Sequence, residues 1–182
     1  TMAYASRLYK VHADELVDAH DRAEIQYLRA ELLWTRAERE PNARLRVDLF
    51  EQAADAFAEV VKNQTSDPNR VKEATFAAVL AWKNALDVDP DAAAQAGTVD
   101  FTRPSTGVPA PQPMPQREQR MIAAFGAYAA VVRDPKNDAL GRMRFLEATL
   151  YRRYHQYDKA VPVLVDLLHW HRDQDTAELA AK

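Results

Sequence analysis

The sequence predicts an all-α protein built from antiparallel helix pairs, and three observations support this class. The 182 residues include 33 Ala but only 4 Gly, and Ala is the best helix former whereas Gly and Pro are the worst. Apolar residues recur at spacings of three and four along most of the chain, which is the period of a helix that buries one face. No segment alternates apolar and polar residues over the length of a strand, so we expect no sheet.

Four helices are predicted in the first half of the chain. Their apolar stripes place them at about residues 2–19, 22–39, 44–64 and 69–87. Pro41 ends the second helix because proline cannot continue the backbone hydrogen-bond ladder. Asp67-Pro68 marks the start of the fourth, since a capping side chain followed by proline is typical of a helix N-terminus.

Residues 88–115 interrupt the helical pattern. Five of the ten Pro lie between Pro104 and Pro115, and a stretch of this length without helical periodicity is usually functional or an insert. The run Pro109–Pro115 should populate polyproline II. It would then serve either as a recognition segment flanked by Arg103 and Arg117 or as a stiff connector.

The helical pattern returns after the insert. Helices are predicted at about 116–133, 137–155 and 158–171, and a last one begins near Asp173. Asp134-Pro135 separates the first two of these, because proline disfavours helix at the residue before it.

Composition excludes several classes of function. The formal net charge is −3, whereas nucleic-acid and membrane-surface binders favour a basic surface. The chain has no Cys, which excludes disulfides, thiol catalysis and thiolate zinc sites. No apolar run approaches the ~18 residues of a membrane span. We therefore expect no nucleic-acid partner and no direct membrane insertion.

No catalytic or cofactor motif is present. The four Gly are isolated, so the sequence has no phosphate-binding loop, and no Gly-x-Ser-x-Gly elbow occurs. His169 and His171 are two residues apart on a helix and point in different directions, so they cannot share a metal. His12 lies on an apolar stripe and is expected to be buried. The prediction is a non-enzymatic protein without cofactor or metal.

A small-large-apolar pattern repeats along the chain. Ala53-Phe57-Val60, Ala124-Tyr128-Val131 and Ala160-Leu164-Leu167 each place a small residue before two larger ones. The preceding helices also match, with Leu146, Ala148 and Tyr151 in one of them. In these residues the chain resembles the tetratricopeptide repeat family, whose 34-residue unit is two antiparallel helices.

The resemblance implies a right-handed solenoid spanning residues 1–182 as one domain, with 88–115 as an insert. Ala148 and Ala160 would let two helix backbones approach closely. The segment Phe76–Trp82, followed by the Pro-rich insert and a partner helix from Glu118 to Val132, resembles tetratricopeptide proteins of deltaproteobacterial cell envelopes, including myxobacterial gliding-motility components. A more distant likeness is to BamD-type outer-membrane assembly lipoproteins. This likeness implies a periplasmic or outer-membrane-associated location. The N-terminal helix and the cut-off last helix suggest further repeats on both sides in a longer protein, and uncapped solenoid ends would then favour self-association of this fragment.

A tetratricopeptide-like solenoid binds partners in the groove lined by the first helix of each pair. Aligning Ala30, Ala78 and Ala148 predicts which side chains line that groove. They are Tyr27, Glu31 and Trp34, then Thr75, Val79, Trp82 and Lys83, and finally Arg142, Phe145, Thr149, Arg152 and Arg153. Aromatic and Arg side chains are the usual anchors of protein interfaces.

The predicted function is therefore a protein–protein interaction scaffold that binds an acidic or extended partner segment. Arg152 and Arg153 would orient a carboxylate of that segment. Ordinary core packing of Trp34 and Trp82 is the competing interpretation of the aromatic residues. A different class of function is a small-molecule sensor or carrier with a pocket under the 88–115 insert, with Phe101 and Met114 as its lid.

Overall fold

The computed structural model describes residues 2–63, 67–87, 109–132, 134 and 137–170, apart from the Trp170 side chain. Within these ranges every regular element is an α-helix, which confirms the all-α class. The helices are α1 (Met2–Glu15), α2 (Ala19–Glu38), α3 (Ala43–Asn63), α4 (Pro68–Leu86), α5 (Gln116–Val131), α6 (Asp138–Arg153) and α7 (Tyr157–Trp170). The helix predicted from Asp173 lies outside the described residues.

Side-chain caps set where the helices begin. The Asp18 carboxylate accepts hydrogen bonds from the backbone N–H groups of His20 and Asp21 at 2.8 and 3.0 Å, which starts α2 and lowers the pKa of Asp18. The first helix consequently ends at Glu15, and its predicted extension to residue 19 is wrong. Asp67 caps α4 in the predicted way, with Pro68 in the first turn.

The chain packs as two compact units, and each is described by itself. The first comprises residues 1–87 with 126–131, and the second comprises 88–125 with 132–182. In the first unit α1 packs on α2, α2 on α3, and α3 on α4. Short connections between packed helices make these neighbours antiparallel.

Small residues allow close packing in the first unit. Ala23, Ala30 and Ala37 are seven residues apart along α2 and are fully buried, as are Ala53 and Ala54 on α3. A methyl side chain lets two helix backbones approach, and larger residues beside it fill the space that remains. Among the larger side chains, Leu33, Leu49 and Val60 are buried.

The face that α1 presents to solvent differs from the prediction. Ser6 and Ala13 are its buried residues, whereas Tyr4, Leu8 and Val11 are more than half exposed. His12 is also exposed, so its predicted burial is wrong. The reason is that α1 packs mainly against α2, through a narrow stripe of small residues.

In the second unit α6 packs on α7. Ala148 and Ala160 are both buried, as the repeat pattern predicts for small residues at a helix–helix contact. Leu146, Leu150 and Leu167 are buried with them. The stacking of these pairs into one right-handed solenoid, and the single domain over 1–182, stay predictions.

Candidate binding groove

An open groove of about 460 Å³ lies between α2 and α4 of the first unit, with α3 beneath it. Residues from all three helices line it, and most of them are apolar or aromatic. They are Tyr27, Glu31, Trp34 and Thr35 of α2, Phe57 of α3, and Ala77 and Leu80 of α4. Its volume falls in the range of about 300–1,000 Å³ that is usual for binding pockets.

Helical spacing places the α2 side chains together. Tyr27, Glu31 and Trp34 are four and three residues apart, so they share one face of the helix. Ala77 and Leu80 are three residues apart on α4 and form the opposite wall. The small Ala77 side chain leaves open the space that a larger residue would fill.

Aromatic contacts hold the walls in place. The Tyr27 ring meets the Phe57 ring edge to face, with centroids 5.5 Å apart. Trp34 makes the same kind of contact with Phe50 at 5.3 Å, and its indole Nε1 donates a hydrogen bond to Glu38 at 2.8 Å. Such contacts fix the side-chain rotamers before any ligand arrives, which lowers the entropy cost of binding.

Arg70 of α4 ties one end of the groove to α2. Its Nε lies 3.1 Å from a Glu24 carboxylate oxygen, and its Nη1 lies 3.1 Å from Glu73. The guanidinium also stacks over the Tyr27 ring, 4.3 Å from the centroid. Burial raises the pKa of Tyr27, and Glu31 and Glu73 raise it further against the opposing effect of Arg70. The phenol is therefore neutral and can donate a hydrogen bond.

The predicted α2 residues of the groove are brought together, but two predicted α4 residues are not. Thr75 and Trp82 are 2% and 3% exposed, so their placement in the groove is wrong. The Thr75 hydroxyl donates to the backbone oxygens of Val71 and Lys72 within its own helix. Val79 is buried as well, so the core interpretation of Trp82 is the correct one.

The wrong placement of Thr75 and Trp82 in the groove has a geometric cause. The prediction treats Ala78 as the equivalent of Ala30, which assumes that α2 and α4 have the same rotation about their axes. Both alanines are buried as expected, yet the groove wall of α4 is formed by Ala77 and Leu80. Lys83 is half-buried and lies outside that wall.

Sequence reasoning also misses Phe57. Its place in the repeated small-large-apolar pattern indicates core, and it is indeed only 3% exposed. The part of it that remains accessible forms the floor of the groove. The contact between the Phe57 and Tyr27 rings could not be predicted from helical spacing, because the two residues lie on different helices.

The predicted residues of the third pair belong to the second unit. Arg142 and Arg153 are exposed, and Phe145 and Arg152 are half-buried. Thr149 is half-buried too, and its hydroxyl donates to the Phe145 backbone oxygen. Their position in a shared groove stays a prediction.

Arg153 already has an acidic neighbour. Its Nη1 lies 3.4 Å from a Glu118 carboxylate oxygen, so a partner carboxylate would have to compete with Glu118. The Arg153 side chain is half exposed whereas that of Glu118 is only 12% exposed, so the pair is partly buried.

The end of the insert, residues 109–115, is tied to the α6–α7 turn. The Gln112 backbone N–H donates to the Tyr154 oxygen at 2.8 Å, and the Gln156 side chain donates to the Gln112 oxygen at 2.7 Å. Met114, which the sensor interpretation places in a lid, is buried, and its role as a lid stays a prediction. These bonds favour the connector interpretation of this segment. Phe101 and Arg103 lie outside the described residues.

The ranges that the structure describes contain neither a cluster of metal-ligating side chains nor a membrane-spanning helix. Within those ranges no group of three or more His, Asp or Glu side chains is placed to hold a metal ion. In the same residues, no helix combines the length and apolar character needed to cross a bilayer.

The chain matches no protein-family model, no curated protein and no solved structure. The resemblance to tetratricopeptide repeats is neither supported nor refuted by these comparisons.

Proposed function

We propose that the protein is a non-catalytic interaction module that binds a segment of a partner protein in the α2–α4 groove. The observation that carries this proposal is the preformed aromatic wall of Tyr27 and Trp34, with Phe57 beneath it and Leu80 opposite. Partly exposed aromatic side chains with fixed rotamers are the usual anchors of peptide-binding surfaces.

The chemistry of the groove suggests which segments fit. Its apolar walls favour a segment with an aliphatic or aromatic anchor. Among the side chains that line the groove, Tyr27 and Glu31 are the ionisable ones. A second carboxylate, that of Glu38, lies beside Trp34. These carboxylates favour Lys or Arg near the anchor. This differs from the acidic segment predicted from Arg152 and Arg153, which lie in the second unit.

The competing sensor function places a small molecule under the insert. In the described part, residues 109–115, the insert is bonded to the α6–α7 turn through Gln112, and no observation there favours a pocket. The envelope location and motility role implied by the family resemblance stay predictions.

A random-peptide selection on the immobilised protein tests the proposal. We expect enriched peptides to share an apolar anchor next to a basic residue, and to bind with micromolar Kd. Ala77→Glu projects a charged side chain into the groove and should weaken this binding at least tenfold. Ala43→Glu, an exposed position at the start of α3, is the matched control and should bind as the wild type does.

Folding is checked by circular dichroism melts of both variants. If Ala77→Glu is unfolded, Leu80→Ala replaces it, because this substitution only removes apolar contact area from the groove. Failure to enrich any peptide would contradict the proposal. Equal binding by the wild type and both groove variants would contradict it as well.

A further inference from the structure

A second depression in the first unit has a different chemistry. It has a volume of about 490 Å³ and lies where α1, α2 and α3 meet. Four of its eight lining residues are cationic, namely Arg7, Lys10, Arg29 and Arg36, and none is acidic. Ser6 and Gln52 add polar groups to the same surface.

Helical spacing explains how the cations converge. Arg7 and Lys10 are three residues apart and share one face of α1. Arg29 and Arg36 are seven residues apart, two turns along one face of α2, with Leu33 between them. Because α1 packs on α2, these two faces meet and form a basic pocket.

The local carboxylates neutralise this charge only in part. Lys10 pairs with Asp14 at 2.9 Å, but both side chains are about 60% exposed, and such a pair is weak. Asp14 and Asp55 are close enough to Arg29 to raise its pKa. Burial of Arg29 is the larger influence and lowers its pKa.

Donors in the pocket also lack partners. The Arg29 Nε is shielded from solvent and has no hydrogen-bond partner among the described residues. Within the same ranges Arg7 and Arg36 form no ion pair. Like charges held together around a cavity repel each other, and an anion that accepts their hydrogen bonds removes that repulsion.

We propose that the pocket of Arg7, Lys10, Arg29 and Arg36 binds a small phosphorylated molecule that carries at least two negative charges. Guanidinium groups match phosphate oxygens in a two-pronged geometry, and four cations favour a multiply charged anion over a single carboxylate. The volume is large enough for an organic phosphate and exceeds what inorganic phosphate alone would fill. This site is separate from the α2–α4 groove, and neither proposal depends on the other.

Calorimetric titration of the full chain with pyrophosphate at constant ionic strength tests the proposal. Pyrophosphate should bind with one-to-one stoichiometry and at least tenfold more tightly than inorganic phosphate. Arg36→Gln should weaken this binding about tenfold, since it removes one charge-assisted pair. Adding Arg29→Gln should weaken it further. Arg44→Gln, an exposed position outside the pocket, is the matched control and should bind normally.

The substitutions are not expected to unfold the protein, because they relieve repulsion between like charges. Melting by circular dichroism checks this, and Arg7→Gln provides a second variant on α1. Absence of pyrophosphate binding would overturn the proposal, as would unchanged binding in the folded arginine variants. Equal binding of citrate would overturn the phosphate assignment. Ala77→Glu should bind pyrophosphate normally, which separates this site from the groove.

Discussion

Replacing Trp82 by Ala distinguishes a core residue from an anchor in the groove. The side chain is 3% exposed, and a buried aromatic side chain removes roughly 150–250 Å² from water. At about 25 cal/mol per Å² this burial contributes about 4–6 kcal/mol. A compact unfolded chain already hides part of this area, which lowers the expected loss to about 3–5 kcal/mol.

Urea unfolding followed by circular dichroism at 222 nm measures this loss without relying on tryptophan fluorescence. With a urea dependence near 2 kcal/mol per M, the midpoint should fall by roughly 2 M. Since domains of this size are stable by only about 5–15 kcal/mol, Trp82→Ala should be severely destabilised. Lys83→Ala, the next residue on α4, should lose less than about 1 kcal/mol.

A small loss for Trp82→Ala, similar to that of Lys83→Ala, would refute this reasoning. It would indicate that the indole is accessible, as the sequence alignment with Trp34 predicts. A large loss of peptide binding with unchanged stability would point to the same conclusion.

Two further predictions concern charged residues. Burial raises the pKa of Glu147 above its ordinary value, although the Arg144 guanidinium lies 3.0 Å from its carboxylate. The contribution of Glu147 to the free energy of unfolding therefore falls as pH rises through that raised pKa. Glu147→Gln should therefore gain stability relative to the wild type between about pH 4 and pH 7 in urea unfolding, and a constant difference would contradict this. A double-mutant cycle of Arg70→Gln and Glu24→Gln, in which each substitution removes one charge of the pair, should give a coupling of about 0.5–1 kcal/mol, because the pair is partly exposed. A coupling of zero would show that the pair does not join α4 to α2.

Helix positions were predictable because their signals are local. Asp67-Pro68 specifies the start of α4 through its own hydrogen bonds, and apolar spacing marks the length of each helix. The boundary between α1 and α2 was harder, because the cap at Asp18 competes with a stripe that continues through Leu16. In that competition the cap determined where α2 begins.

The candidate groove was predictable only within one helix. Tyr27, Glu31 and Trp34 share a face because of their spacing, and no tertiary information is needed to group them. The α4 wall depends on how that helix is rotated against α3, which the spacing of Ala77 and Leu80 alone does not determine.

The basic pocket was missed for a similar reason. Arg7 on α1 and Arg36 on α2 look like ordinary surface cations when each helix is considered alone. The basic pocket forms because α1 packs on α2 and brings the face with Arg7 next to the face with Arg36. Arg152 and Arg153, by contrast, are adjacent in sequence and stand out as a basic pair without tertiary information.

The proposed function places the partner segment between α2 and α4. The most direct measurement is a nuclear magnetic resonance titration of the folded protein with a selected peptide, following the indole N–H signals assigned by Trp→Phe substitution. Binding in the groove should shift the Trp34 signal strongly, because Trp34 lines the groove, and should change the signal of buried Trp82 little. Saturable binding that leaves the Trp34 signal unmoved would contradict this placement.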